Sequence, residues 1–170
     1  MSTWGRNNGE QTPKKNWSLE EARGKLETFC AYQERCIWEL RRKLFEKGIQ
    51  GNAVDKILAE LEASGFVDEE RFARSFARGK FQIKGWGRIR ITSELKQRQI
   101  SPYCLRKAME EIDPEAYLQK LEQQLRTRAE QYNNGPSNPF EIRQRLAQYG
   151  IRKGFEPEIV WETLKKIFVK

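Results

Sequence analysis

Between Arg71 and Arg98 stand nine cations, Arg71, Arg74, Arg78, Lys80, Lys84, Arg88, Arg90, Lys96 and Arg98, against one carboxylate, Glu94. That surplus equals the net charge of +8 of the whole 170-residue chain, so the rest of the molecule is close to balanced. A solvated helix face normally mixes signs. A one-sided run of this kind suits an anionic partner, nucleic-acid phosphate or an acidic protein surface. Phe81 and Trp86 are interleaved with the cations, and aromatic rings can stack on unpaired bases. Two roles are open to Trp86, contact with a partner or closure of a core between helices. Gly85 and Gly87 either make the turn around it or bring the backbone close to phosphate, although a lone Gly-x-Gly is no P-loop.

Catalytic chemistry has little to work with. The chain contains no histidine, which removes Ser-His-Asp and Cys-His catalysis and every Cys/His zinc set. Cys30, Cys36 and Cys104 form no Cys-x-x-Cys, and three thiols cannot all pair within one chain, so reduced and partly buried cysteines are expected. Asp68, Glu69 and Glu70, and again Glu110, Glu111, Asp113 and Glu115, fall where helices begin, and carboxylates there favour the helix dipole. No catalytic residue, metal site or cofactor is predicted. No apolar run approaches the roughly 20 residues of a spanning helix, and the first sixteen residues lack the apolar core of a signal peptide. The expectation is a cytoplasmic protein with no membrane partner and a flexible tail over 1–16.

The basic stretch itself, GKFQIKGWGRIRI from Gly79 to Ile91, has the local signature of a β-hairpin, with apolar alternation around Gly-Trp-Gly. A repeat overrides that signature. Trp38, Ile89 and Phe140 are spaced by 51 residues, and so are Leu40, Ile91 and Ile142, Leu44, Leu95 and Leu146, and Ile49, Ile100 and Ile151. The first and third copies have helical patterns, so the middle copy is read as a helix after a Gly-Trp-Gly turn. Gly48 and Gly150 stand where a left-handed helix C-cap is expected, and Gln99 replaces that glycine in the middle copy at some cost in strain.

Each copy extends in both directions. Ser18, Asp68 and Asp113 are N-cap candidates, followed at the fourth and eighth residue by Ala22 and Leu26, Phe72 and Phe76, and Tyr117 and Leu121. A third helix carries Val54, Leu58 and Leu61, then Leu105, Met109 and Ile112, then, after four inserted residues, Val160, Leu164 and Ile167. Asn52, Ser101-Pro102 and Glu156-Pro157 mark the starts. The polar loop Asn133–Pro139 separates the first two helices of the last copy. The fold class is therefore all-α, three tandem three-helix repeats at 17–65, 66–112 (the basic one) and 113–170. Stacked modules of this size form an elongated, curved protein.

The segment GFVDEERFARSF at 65–76, a basic spacer with a Gly-aromatic-Gly turn, and a basic helix closing on ELKQRQI at 94–100 together resemble the RecX family, regulators of the bacterial recombinase RecA. CIWELRRKLFEKGI at 36–49 is similar to that family's first-repeat helix, and FEIRQRLAQYGI with VWETLKKI to its third repeat. The likeness runs from about Leu26 to the C-terminus, departing at Gln99 and at the polar loop of the last copy. It implies tandem three-helix repeats and a non-enzymatic, monomeric regulator that binds the RecA–single-stranded DNA filament and inhibits its extension or activity. Recombination, DNA repair and the SOS response are the processes implied. Arg74, Arg78, Lys80, Lys84, Trp86, Arg88, Arg90, Lys96 and Arg98 are the candidate contacts to filament or DNA phosphate, without sequence specificity. The choice of individual residues rests on charge.

Two alternatives remain at this point. A helix-turn-helix repressor would read bases from the helix at Arg88–Gln99 through Arg90, Gln97 and Arg98. A helical-repeat adaptor would bind protein only. Two smaller basic groups, Arg41–Lys43 and Arg143, Arg145, Arg152 and Lys153, are read as solvated helix surface, with a longer basic track as the other reading.

Overall fold

The computed structural model describes residues 15–133, 135 and 138–169; residues 1–14 of the tail expected over 1–16 and part of the 133–139 loop lie outside them. Nine helices and no strands are formed by the described residues: α1 Leu19–Tyr32, α2 Ile37–Glu46, α3 Asn52–Ala63, α4 Glu69–Gln82, α5 Arg88–Gln97, α6 Pro102–Met109, α7 Pro114–Tyr132, α8 Pro139–Arg152 and α9 Pro157–Ile167. The hairpin-like stretch is thus the end of α4, a turn and the start of α5. Ser18, Asp68 and Asp113 cap α1, α4 and α7, each side chain accepting the backbone N–H three residues on, at 3.2, 2.9 and 2.8 Å. Such caps satisfy donors that helix geometry leaves without partners.

The chain divides into two compact units, residues 1–67 and 68–170. In the first, α1 and α2 both pack on α3 around Leu26, Leu40, Leu44, Leu58 and Leu61. Arg23 ties α1 to α3 through Glu60 at 3.0 Å, and the Trp17 N–H donates to Lys47 O at 3.0 Å.

The second unit holds six helices. α4 packs mainly on α6 with α5 across both, and α7, α8 and α9 pack on one another. Two features join the two triplets. Aromatic rings of Phe81, Tyr117 and Phe155 form a column, with centroids 5.9 and 4.9 Å apart. Beside it, Gly87 N–H donates to Lys153 O at 2.8 Å and Ile89 N–H to Gly154 O at 3.0 Å. These two bonds latch the turn before α5 to the turn after α8.

The core positions of the repeat are those of the 51-residue period, with Leu40, Ile91 and Ile142 and Leu44, Leu95 and Leu146 buried. The outer triplet differs: Ile89 and Phe140 are exposed. The last copy needs a correction. Gly150 is not a C-cap, because α8 continues through it to Arg152 and the left-handed residue is Gly154, φ +100°. The equivalent of Ile49 and Ile100 is Phe155 and not the exposed Ile151. Backbone N–H groups of Ile49, Ile100 and Phe155 donate to Leu44, Leu95 and Gly150 carbonyls, the six-residue closure of a Schellman cap. The four inserted residues are therefore one extra turn inside α8. In α6 the buried stripe is Cys104 and Ala108, leading to Ile112, while Leu105 and Met109 are half-buried; Phe76 is half-buried too.

Gln99 adopts φ +57° at the cap position that glycine fills in the first repeat. A non-glycine residue there costs about 1–2 kcal/mol, partly offset by the chain entropy that glycine adds to the unfolded state. Gln99→Gly is expected to raise stability by about 0.5–1 kcal/mol, read as a higher urea midpoint.

Candidate nucleic-acid interface

Eight of the nine cations between Arg71 and Arg98 separate into two groups. Arg74, on α4, donates to Glu70 at 3.1 Å, Glu111 at 2.9 Å and Glu110 at 3.3 Å, and Arg78 reaches the other oxygen of Glu111 at 3.1 Å. This clasp binds α4 to the end of α6. Hydrogen bonds from Arg74 and then Arg78 hold the Glu111 carboxyl below its ordinary range, and Glu111 in turn raises Arg74. Arg88 lies 3.9 Å above the Tyr117 ring and 3.6 Å from Glu156. Arg98 pairs with Glu94 at 2.9 Å and lies 5.1 Å from the Phe76 ring. These four arginines are engaged by carboxylates.

The second group has no carboxylate partner among the described residues. Lys80 Nζ stands 4.9 Å from the Trp86 ring centre and the Arg90 guanidinium 4.0 Å from it. Trp86 is half-buried and edge-on to Phe76 at 6.5 Å, so it packs against α4 while part of its ring stays accessible. Cation–π contact fixes the two charges in place without neutralising them. Lys84 is exposed in the turn after α4, and Lys96 is exposed on α5 beside Ile89 and Thr92.

Gly85 and Gly87 are not a phosphate cradle. A Cβ on Gly85 would meet the Gln124 amide at 2.8 Å, and one on Gly87 would overlap the backbone of Gly154 and Phe155. Both spaces are taken by the third repeat, and the glycines serve as turn and close-approach residues.

Cations that local charge counting passed over collect around the same turn. Lys120 Nζ donates to Gln82 O at 3.0 Å, Gln124 Nε2 to Gly85 O at 3.1 Å and Lys153 Nζ to Lys84 O at 2.7 Å. Burial, followed by repulsion from Arg90, Arg128, Lys120 and Lys84, lowers the Lys153 ammonium below its ordinary lysine value. Lys153 departs from the solvated-surface expectation: it is half-buried and part of this cluster, whereas Arg143, Arg145 and Arg152 are exposed on α8. Lys120 and Arg128 lie eight residues apart on α7, hence on one face.

Cys30, Cys36 and Cys104 are buried, and none is in a disulfide among the described residues. Among the described residues, no group of three potential metal ligands comes together, and no helix is long and apolar enough to cross a membrane.

Comparison with known proteins gives a consistent result. Residues 68–109 match the family model described as RecX, second three-helix domain, and residues 115–164 match RecX, third three-helix domain. A regulatory protein RecX of Halorhodospira halophila is 30% identical over 130 residues, 76% of this chain and 78% of that one. One from Mycolicibacterium smegmatis is 24% identical over 158 residues, covering 92% and 84%. The crystal structure of RecX from Lactobacillus salivarius superposes with a TM-score of 0.75 at 17% identity, over 88% of this chain and 96% of that one.

Proposed function

We propose a function from one premise: this chain belongs to the RecX family of regulatory proteins. The function is to bind the filament that a RecA-type recombinase forms on single-stranded DNA and to inhibit its extension or activity. In this reading the protein works as a monomer in the cytoplasm and restrains homologous recombination and the damage response. Inhibition needs no chemistry from this chain, because occupying filament surface or blocking subunit addition is enough. The observation that carries the reading is the group Lys80, Lys84, Arg90 and Lys96, cations of the middle repeat with no carboxylate partner among the described residues. Charges in that state favour phosphate or acidic protein without reading bases. Arg74, Arg78, Arg88 and Arg98 support the same surface by holding its helices in place. Base reading from α5 loses support, since Arg90 lies on Trp86 and Arg98 on Glu94.

The test is ATP hydrolysis by a cognate RecA on single-stranded DNA, with this protein added well below the RecA concentration. Native protein should inhibit. Lys84→Glu/Lys96→Glu, at two exposed positions, should need at least about tenfold more protein for the same inhibition. If native protein neither inhibits nor binds the filament, the reading is wrong.

A further inference from the structure

The turn at 82–85 is held against the third repeat by donors that are themselves cations. Lys120 and Lys153 each use a proton on one of its carbonyl oxygens, and Gln124 holds a third. Each ammonium keeps two further protons for another acceptor. Next to this clasp, a cleft of about 330 Å³ is lined by Lys84, Lys120, Gln123, Thr127, Arg128 and Tyr149. No carboxylate is among its described lining residues. Arg128 has its guanidinium 4.7 Å from the Tyr149 ring centre, a cation–π contact that limits its movement. Among the described residues it makes one hydrogen bond, to Gln131 at 3.3 Å, and its enclosed Nε–H has no acceptor. Arg74, Arg78, Arg88 and Arg98 of the same unit, by contrast, all have carboxylates.

Crowding like charges without counter-ions opposes folding, and an anion that enters relieves it. We propose that this cleft binds the phosphodiester backbone of single-stranded DNA, with Lys84, Lys120 and Arg128 as the phosphate contacts. The choice of nucleic acid rests on the filament reading above; the choice of residues rests on the cleft. Lys84 and Lys120 are compact point charges on flexible stems, while Arg128 offers a planar fork against Tyr149. Gln123 and Thr127 add neutral hydrogen-bonding groups beside the sugars. A concavity of this size admits one strand's phosphate and its flanking sugars, whereas the width of a duplex keeps its backbone at the rim.

Binding of a fluorescent oligo(dT) to the full chain, measured by anisotropy over a range of salt without RecA, tests the site. Lys120→Gln/Arg128→Gln should weaken binding at least about tenfold and lower the salt slope by about 1.4, at roughly 0.7 for each phosphate contact on a single strand. Lys84→Gln covers the case in which the double variant disturbs the clasp, because its side chain holds no other described residue; it should lower the slope by about 0.7. Lys165→Gln/Lys166→Gln, exposed on α9, removes equal charge away from the cleft and should leave the slope unchanged. Native affinity and slope in both cleft variants would overturn the assignment. So would a duplex that binds native protein as tightly as oligo(dT) and loses as much in the variants. RecA inhibition by native protein, measured separately, shows whether the filament reading stands when the cleft does not.

Discussion

Gly87→Ala is expected to lower the stability of the unit over 68–170 by about 3 kcal/mol, the upper range for forcing an extra carbon into a packed site. The added Cβ would overlap the backbone of Gly154 and Phe155, and backbone cannot move aside as a flexible side chain can. Relief requires opening the latch, and with it the bonds from Gly87 to Lys153 O and Ile89 to Gly154 O. Gly154→Ala should be at least as damaging. Its φ of +100° is strained for any L-residue, and its Cβ would fall against Arg90. Gly79→Ala supplies the contrast. That position lies within α4 with nothing within 4 Å of a new Cβ, so alanine should stabilise the protein by about 0.5–1 kcal/mol. Urea unfolding followed by circular dichroism measures all three. A native-like midpoint for Gly87→Ala would mean that the two turns do not meet.

The second large effect is expected at Tyr117, which is fully buried between Phe81 and Phe155. Tyr117→Ala should cost about 4 kcal/mol, as for other large buried rings cut back to a methyl. Tyr117→Phe separates the ring from the hydroxyl. The hydroxyl donates to Glu156 at 2.7 Å and accepts the Arg88 backbone N–H at 3.0 Å, so phenylalanine leaves that N–H without its acceptor and one Glu156 oxygen without its donor, at about 1–2 kcal/mol. Its pH dependence has a definite sign. Burial, and then the Glu156 carboxylate, raise the folded phenol above its ordinary value of 10.0. The stabilisation is complete below that value and falls as pH rises through it, because the unfolded chain releases the proton first. Lys153 acts oppositely: its folded ammonium is lowered, so stability rises with pH up to its ordinary 10.5. Comparing native protein with Tyr117→Phe across that window isolates the phenol. Equal alkaline losses in the two proteins would contradict the buried hydrogen bond.

What the sequence made legible follows from which forces are local. Ser18, Asp68 and Asp113 announce helix starts because a cap needs only its own first turn. Leu40, Ile91 and Ile142 announce a buried stripe because helix periodicity is local as well. Gly150 misled because a glycine beside an apolar residue at the end of a pattern normally stops a helix. Here it is an interior residue whose missing Cβ makes room for Val160 of α9, which would stand 3.0 Å away. The charge count misled for a related reason. Glu110 and Glu111, just past the end of α6, and Glu156, at the cap of α9, reach the arginines of α4 and α5, so a surplus along the chain is not a surplus in space. The converse holds for Lys120 and Arg128. Glu115, Glu122 and Glu130 share their helix and hide them in any linear tally, although the spacing Lys120–Gln124–Arg128 does mark one face. The members of the RecX-like motif at 65–76 and 94–100 lie on α4 and α5, on the core and the clasp as well as on the surface. A motif of that kind identifies the family without ranking its residues.

The extra turn in α8 bears on how such an array can change over time. Four residues at about 1.5 Å of rise carry the cap loop about 6 Å further than the shorter second helices of the other repeats carry theirs. That displacement is what delivers Lys153 and Gly154 to Gly87 and Ile89. A chimera with a copy of the first repeat in third place would keep the right core residues and arrive one turn short. The repeats share one apolar pattern but are not spare parts for one another: a joint defined by helix length resists recombination and tandem duplication even where the residues on either side of it remain free to drift.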